Sequence, residues 1–289
     1  MTILAYQVFY AVVKERSFQK AAESLNLTPS AISHTISSME KELGFPLFVR
    51  SKQGVQLTGY GESLRPYIFN VLQSEDSLQA AIAQMNGLEK GTVKIGAFNS
   101  ICTTLLPQLI KSFRELHPAI EIEVYQGTYD DVVRWIKNGT VDLGFLSISS
   151  AGNLPIIPLF KDRLICILPK GTRDSDKSYI TMEELKGTRF VSQRESTDAD
   201  IQNLLKKYDV EVQSNCHVVD DQSTIAMVES GLGMCIMPSL LLSTTKNDVD
   251  IFPIEPPEYR VIGICTKKEM GISPAVNSMK EHILNTLKK

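Results

Sequence analysis

Between Leu27 and Gly44 the chain reads LTPSAISHTISSMEKELG, and the spacing of its apolar residues leaves it few shapes. At 100° per residue Ile32, Ile36, Met39 and Leu43 fall in one narrow wedge, so the segment is expected to be a helix with that wedge in a core. Thr28 suits the N-cap, Pro29 the first helical position, and Gly44 the C-terminal stop. The opposite side carries Ser30, His34, Ser37 and Lys41, with Ser33 at its margin. Serine and threonine rank below Ala, Leu, Glu and Lys as helix formers, yet Ser30, Ser33, Thr35, Ser37 and Ser38 all stand here. A face kept slim and polar at that cost is expected to touch a partner.

Upstream, Tyr6, Phe9 and Val13 predict a first helix over about 3–15. Ser17 caps a second one, whose Phe18, Ala21, Ala22 and Leu25 form an apolar stripe. Two short helices joined by the turn NLT, the second with a compact polar face, make a helix-turn-helix. Small hydroxyl side chains let such a helix enter a major groove and still bond phosphates and base edges. In FPLFVRSKQGVQLT (45–58), Val55 and Leu57 alternate with polar residues beside a KQG turn, which predicts a hairpin with Arg50, Ser51 and Lys52 near its tip. A basic hairpin at that place is a wing. Residues 1–58 hold six basic side chains against four acidic ones, a local balance of +2, while the whole chain carries −3. Such a module suits local contact with double-stranded DNA better than attraction over the whole surface. The expected DNA contacts are Ser17, Lys20, Thr28, Pro29, Ser30, Ser33, His34, Ser37, Lys41, Arg50, Ser51 and Lys52.

The stretch from Ser17 to Glu62 resembles the DNA-binding domain of the LysR-type transcriptional regulators. Ser17-Phe18, Ala21-Ala22-x-x-Leu25 and Ala31-Ile32-Ser33 follow that pattern. So do Glu40-x-x-Leu43-Gly44-x-x-Leu47-Phe48-x-Arg50 and Leu57-Thr58-x-x-Gly61. The departures are Met39 for Leu, Pro29 where Gln is frequent, and His34-Thr35 where Arg-Gln is frequent.

From Thr58 to Leu88 the helical period continues. Leu64, Ile68, Val71, Leu78, Ile82 and Met85 recur on three- and four-residue steps, with Glu75 the polar member, which predicts a coiled-coil seam and a homodimer. Pro66 is expected to kink this helix. The family implies a homotetramer and contact with RNA polymerase as well.

Beyond residue 90, strand-like and helix-like segments alternate. Strands are expected at 91–98, 120–127, 141–147, 164–169, 189–193, 215–220, 233–238 and 259–268. Helices are expected at 104–116, 129–139, 181–186, 199–208, 222–231 and 274–288, with Trp135 as core. The resulting fold class is α/β: an N-terminal winged helix-turn-helix (1–58), a linker and dimerisation helix (59–89), and an effector domain (90–289). That last domain resembles the two-lobed periplasmic binding proteins, with one lobe at 91–162 plus 268–289 and the other at 163–267. The resemblance implies a small polar or anionic effector between the lobes. Ser100, seven residues before Pro107, and Thr128 match family ligand positions; Asn99 and Thr103 share the loop NSICTT with Ser100, and Ser147, Ser192 and Gln193 end other strands on the same expected rim.

Rival readings explain less. The five cysteines are scattered, with no Cys-x-x-Cys pair, and the four histidines form no cluster with them, so neither a metal nor a cofactor is expected. There is no phosphate loop, Gly-x-Gly-x-x-Gly or Gly-x-Ser-x-Gly elbow to suggest an enzyme. No apolar run of about 18 residues suggests a membrane span. The first residues lack the pattern of a secretion signal, against a solute-binding transport protein and toward the cytoplasm.

Overall fold

The computed structural model describes residues 1–51, 54–85, 90–173, 178–194, 199–244, 248–266 and 272–288. Contacts divide the chain into two units, Met1–Leu88 and Glu89–Lys289.

In the first unit the helix starts are set by hydroxyl caps. Thr2 caps α1 (Ile3–Glu15), Ser17 caps α2 (Phe18–Ser24) and Thr28 caps α3 (Pro29–Leu43), each accepting from the backbone N–H three residues on. Gly44, at φ 81°, ends α3 in the left-handed region that glycine enters freely. Ile32, Ile36 and Met39 are buried and pack with Val8, Phe9 and Val12 of α1. The wing is β1 (Phe48–Ser51) antiparallel to β2 (Gly54–Leu57). Glu40 fastens it to α3, its Oε1 accepting from the N–H of Leu47 at 2.7 Å and of Phe48 at 3.1 Å. Thr58 then turns the chain into α4 (Gly59–Met85): its Oγ1 donates to the Pro46 carbonyl at 2.7 Å and accepts from Gly61 N at 3.0 Å. Helix α4 runs on through Pro66. Its first turns face the core through Leu64, Ile68 and Leu72, whereas Val71, Leu78 and Ile82 farther along are exposed.

The second unit is built on β3 (Gly91–Ala97), α5 (Asn99–Thr104), α6 (Leu106–Leu116), β4 (Ile120–Gln126), α7 (Tyr129–Asn138), β5 (Leu143–Ser147) and β6 (Ile157–Pro169). There follow β7 (Ile180–Thr181), β8 (Arg189–Gln193), α8 (Ala199–Lys207), β9 (Gln213–Val218), α9 (Asp221–Glu229), β10 (Cys235–Pro238), β11 (Val249–Glu255), β12 (Tyr259–Thr266) and α10 (Pro274–Leu287). One sheet runs β4-β3-β5-β12-β6-β11-β7, with β10 also on β6. Strand β6 serves both lobes: residues 157–163 pair with β12, and 164–169 with β10 and β11. One core gathers Ile95, Phe113, Phe145 and Ile262, another Cys166, Leu204, Val228 and Ile236. Trp135 is half-buried against a smaller cluster around Ile136 and Val141.

Four expectations need correction. NSICTT is the helix α5, a turn that buries Ile101 in the same core as Phe98, with the Thr103 and Thr104 hydroxyls satisfied on the carbonyls of Asn99 and Ser100. The helix expected at 181–186 is only a 3-10 turn, Glu183–Leu185. Strand β12 lies antiparallel between β5 and β6, and its Ile262 and Ile264 pack in the first lobe's core, so the second crossing precedes Tyr259 instead of following residue 267. Strands β7 and β11 were not anticipated; β11 pairs parallel with β7 and antiparallel with β6.

Candidate functional site

The outer face of α3 carries the slim polar surface that the spacing implies. Thr28, Pro29, Ser30, His34, Ser37 and Lys41 are exposed, as is Lys20 on α2, while Ser17 and Ser33 are half-buried. Two of the hydroxyls already have local work. Ser17 Oγ accepts from Lys20 N at 3.3 Å, and Thr28 Oγ1 accepts from Ala31 N at 3.2 Å and lies 3.0 Å from Ser30 Oγ. Arg50 and Ser51 belong to the backbone of β1, their side chains lying outside the described residues, as does Lys52 entirely. The chain's own α-amino group sits on both oxygens of Glu42 at 2.9 Å, so a cation neutralises the acid at the far end of α3.

A cleft of about 390 Å³ opens between the lobes of the second unit. Its floor is organised by Arg260, which is 5% exposed. Arg260 and Asp162 are direct cross-strand partners on β12 and β6, and the guanidinium donates to Asp162 Oδ2 from Nε at 2.9 Å and Nη2 at 2.7 Å. It also donates to Ser100 Oγ at 2.8 Å and Tyr129 Oη at 3.0 Å, with the Phe98 ring 5.3 Å from its centre. Asp162 Oδ1 accepts from Ser239 Oγ at 3.0 Å and Leu240 N at 3.1 Å. Burial works against the Arg260 charge, but the Tyr129 oxygen and the Asp162 carboxylate outweigh it and hold its pKa above the usual value. Tyr129 is pushed well above the phenol range, by burial first; the Arg260 charge opposes that shift and the Asp200 charge adds to it.

Two acids of the second lobe reach across. Asp200, near the start of α8, accepts from Tyr129 Oη at 3.0 Å, from Ser147 Oγ at 2.7 Å and from Ser149 Oγ. Asp221, opening α9, accepts from Asn99 Nδ2 at 2.7 Å and Gln193 Nε2 at 2.8 Å. Asp220 and Asp131 also line the cleft. Both are held below the usual carboxylate range, chiefly by the backbone N–H groups of Ser223 and Thr128 respectively.

Of the expected effector contacts, Asn99, Ser100, Thr128 and Gln193 line the cleft. The Thr128 hydroxyl is engaged in a capping box with Asp131, donating to Oδ2 at 2.9 Å. Thr103, Ser147 and Ser192 do not line it. Thr103 bonds its own helix, Ser147 lies buried behind Asp200, and Ser192 is turned opposite to Gln193 by the alternation of β8. Arg260, Tyr129, Asp200 and Asp221 were missed. The signal available was a lone charge inside an otherwise apolar strand, Arg260 in YRVIGICT; Asp162, between Lys161 and Arg163 in FKDRLICILP, carried none.

The two units match two family models: a bacterial regulatory helix-turn-helix protein of the lysR family over residues 3–62, and a LysR substrate binding domain over residues 86–288. The chain belongs to the LysR family of transcriptional regulators. This LysR-type chain is 28% identical over 244 residues to the HTH-type transcriptional regulator YvbU of Bacillus subtilis, covering 84% of itself and 83% of that relative. Its fold is similar to a full-length OxyR variant from Pseudomonas aeruginosa, with TM-score 0.78 at 21% identity, over 98% of this chain and 94% of that one. It is also similar to full-length CbnR solved with its target DNA, with TM-score 0.68 at 19% identity, over 99% of both chains. As a member of this family it is a sequence-specific DNA-binding regulator with an effector-binding domain.

Proposed function

We propose that the exposed face of α3, with Ser17 and Lys20 beside it and the Arg50–Lys52 wing, holds operator DNA, and that a small molecule in the Ser100–Arg260 cleft sets how it is held. The observation that carries this reading is the pairing, in one chain, of a slim hydroxyl-rich helix face with a cleft whose buried guanidinium aims two hydroxyls. Units 1–58, 59–89 and 90–289 then serve as reader, pairing helix and sensor. The exposed Val71, Leu78 and Ile82 support a homodimer through α4, since apolar residues at coiled-coil spacing gain by being covered. A homotetramer and RNA polymerase contact complete the assembly, which works in the cytoplasm without catalysis. The effector acts through its unequal affinity for two arrangements of the subunits.

Selection of genomic fragments by the purified protein, then titration of the winning fragment at several salt concentrations, tests the reader. An inverted-repeat site whose affinity falls steeply with salt and is lost in Arg50→Ala is the expected result. Binding without sequence preference at every salt would overturn it. Metabolites of the genes flanking that site test the sensor: Ser100→Ala keeps DNA affinity and loses the response, and a retained response would move the pocket elsewhere.

A further inference from the structure

We infer that Asp200 is a built-in stand-in for the effector's acidic group, filling its place while the cleft holds no effector. This rests on the cleft being the ligand site.

A guanidinium donates and never accepts. Ser100 and Tyr129 therefore present oxygen lone pairs to Arg260 and turn their own hydrogens away. The Tyr129 hydrogen goes to Asp200. The Ser100 hydrogen has no acceptor among the described residues. Ser147 and Ser149 likewise donate to Asp200. Arg260 thus fixes Ser100 and Tyr129 as donors. A carboxylate from the second lobe takes the Tyr129 hydrogen together with those of Ser147 and Ser149, whose hydroxyls lie 3.1 Å from each other. Three neutral hydroxyls around one carboxylate is the arrangement a bound acid would receive. Swinging α8 away leaves Tyr129 without its acceptor and Ser147 and Ser149 with only each other, so the lobes separate most readily when an incoming acceptor replaces Asp200.

The remaining acids set the other end of the ligand. Asp220 and Asp221 line the second lobe's side of the cleft, so a second negative charge there is repelled. The effector class is a small molecule with one carboxylate or comparable oxyanion toward Tyr129, Ser147 and Ser149, and a neutral or cationic remainder toward α9.

Acetate is the probe. In the full-length protein, Asp200→Ala empties the position without removing its donors. Acetate at about 50 mM should raise the thermal midpoint of this variant by at least about 2 °C over equal sodium chloride. Acetamide should not, and the wild type should gain nothing from either. Adding Ser147→Ala to Asp200→Ala should abolish the gain. Should Asp200→Ala fail to fold, Asp200→Ser takes its place with the same expectations. An equal response of wild type and variant, or acetamide acting as well as acetate, overturns the stand-in. If the variant shows no gain while the wild-type DNA complex still answers its effector in a Ser100-dependent way, the stand-in falls and the cleft reading survives. If neither responds, both fall.

Discussion

Single residues in this chain derive their importance from what they leave unpaired when removed. Arg260 is the clearest case: its loss strands Asp162 in a site where both side chains are less than 5% exposed. Breaking a buried pair from one side costs about 3–5 kcal/mol, so Arg260→Met should lower the stability of the effector unit by that amount in urea unfolding. Gly61, a glycine of the family pattern, has a steric reason. A Cβ there would stand 2.4 Å from the Leu47 carbonyl oxygen, which is backbone and cannot swing aside. Gly61→Ala should therefore destabilise the winged unit by about 1–3 kcal/mol, read as a lower melting midpoint of that transition. Four of the five cysteines are held as thiols by burial. Burial pushes Cys102 and Cys265 up to about 11 and Cys166 up to about 12, and Cys235 also lies well above its usual value. Since the thiolate is the nucleophile, iodoacetamide at pH 7.5 should leave Cys166 and Cys235 of the folded protein unmodified by mass spectrometry, and label them after denaturation.

At the scale of elements, most boundaries are set by caps and periodicity. Thr28 begins α3 through a bond to Ala31 N, and Thr28→Ala should cost about 1 kcal/mol in urea unfolding of the winged unit while weakening DNA binding. Glu40 has a less visible part. It reads as one more surface charge on α3, yet its carboxylate holds the N–H groups of Leu47 and Phe48, where the first strand of the wing begins. Helix α4 changes character along its length, from Leu64 and Ile68 packed on the domain to Leu78 and Ile82 in the open. On the proposed pairing through α4, Leu78→Glu should leave the fold intact and shift sedimentation from dimer to monomer, because a charge in an a/d seam must be desolvated to pair. An unchanged sedimentation coefficient would place the dimer contact elsewhere.

For the whole molecule, the winged half was legible before any coordinates and the sensor half only in outline. Caps, apolar wedges and the hairpin register depend on residues a few positions apart, which is why Ser17, Thr28 and Gly44 could be assigned from spacing. Most strands and helices of the second unit were likewise readable as elements, β7 and β11 excepted. Their arrangement was not, since β12 could only be placed between β5 and β6 by long-range pairing. The cleft is the extreme case. Its defining bonds join residues 98, 131 and 160 positions apart, from Arg260 to Asp162, Tyr129 and Ser100. A hydroxyl in NSICTT looks the same in sequence whether it lines the cleft, like Ser100, or turns back to a helix carbonyl, like Thr103. The sequence by itself determined the fold class, the helix-turn-helix with its slim polar face, and its caps, because those follow from local backbone chemistry. Which hydroxyls point into the cleft, and which carboxylates cross it, only the tertiary structure decided, because charge and hydrogen-bond partners meet there through folding alone.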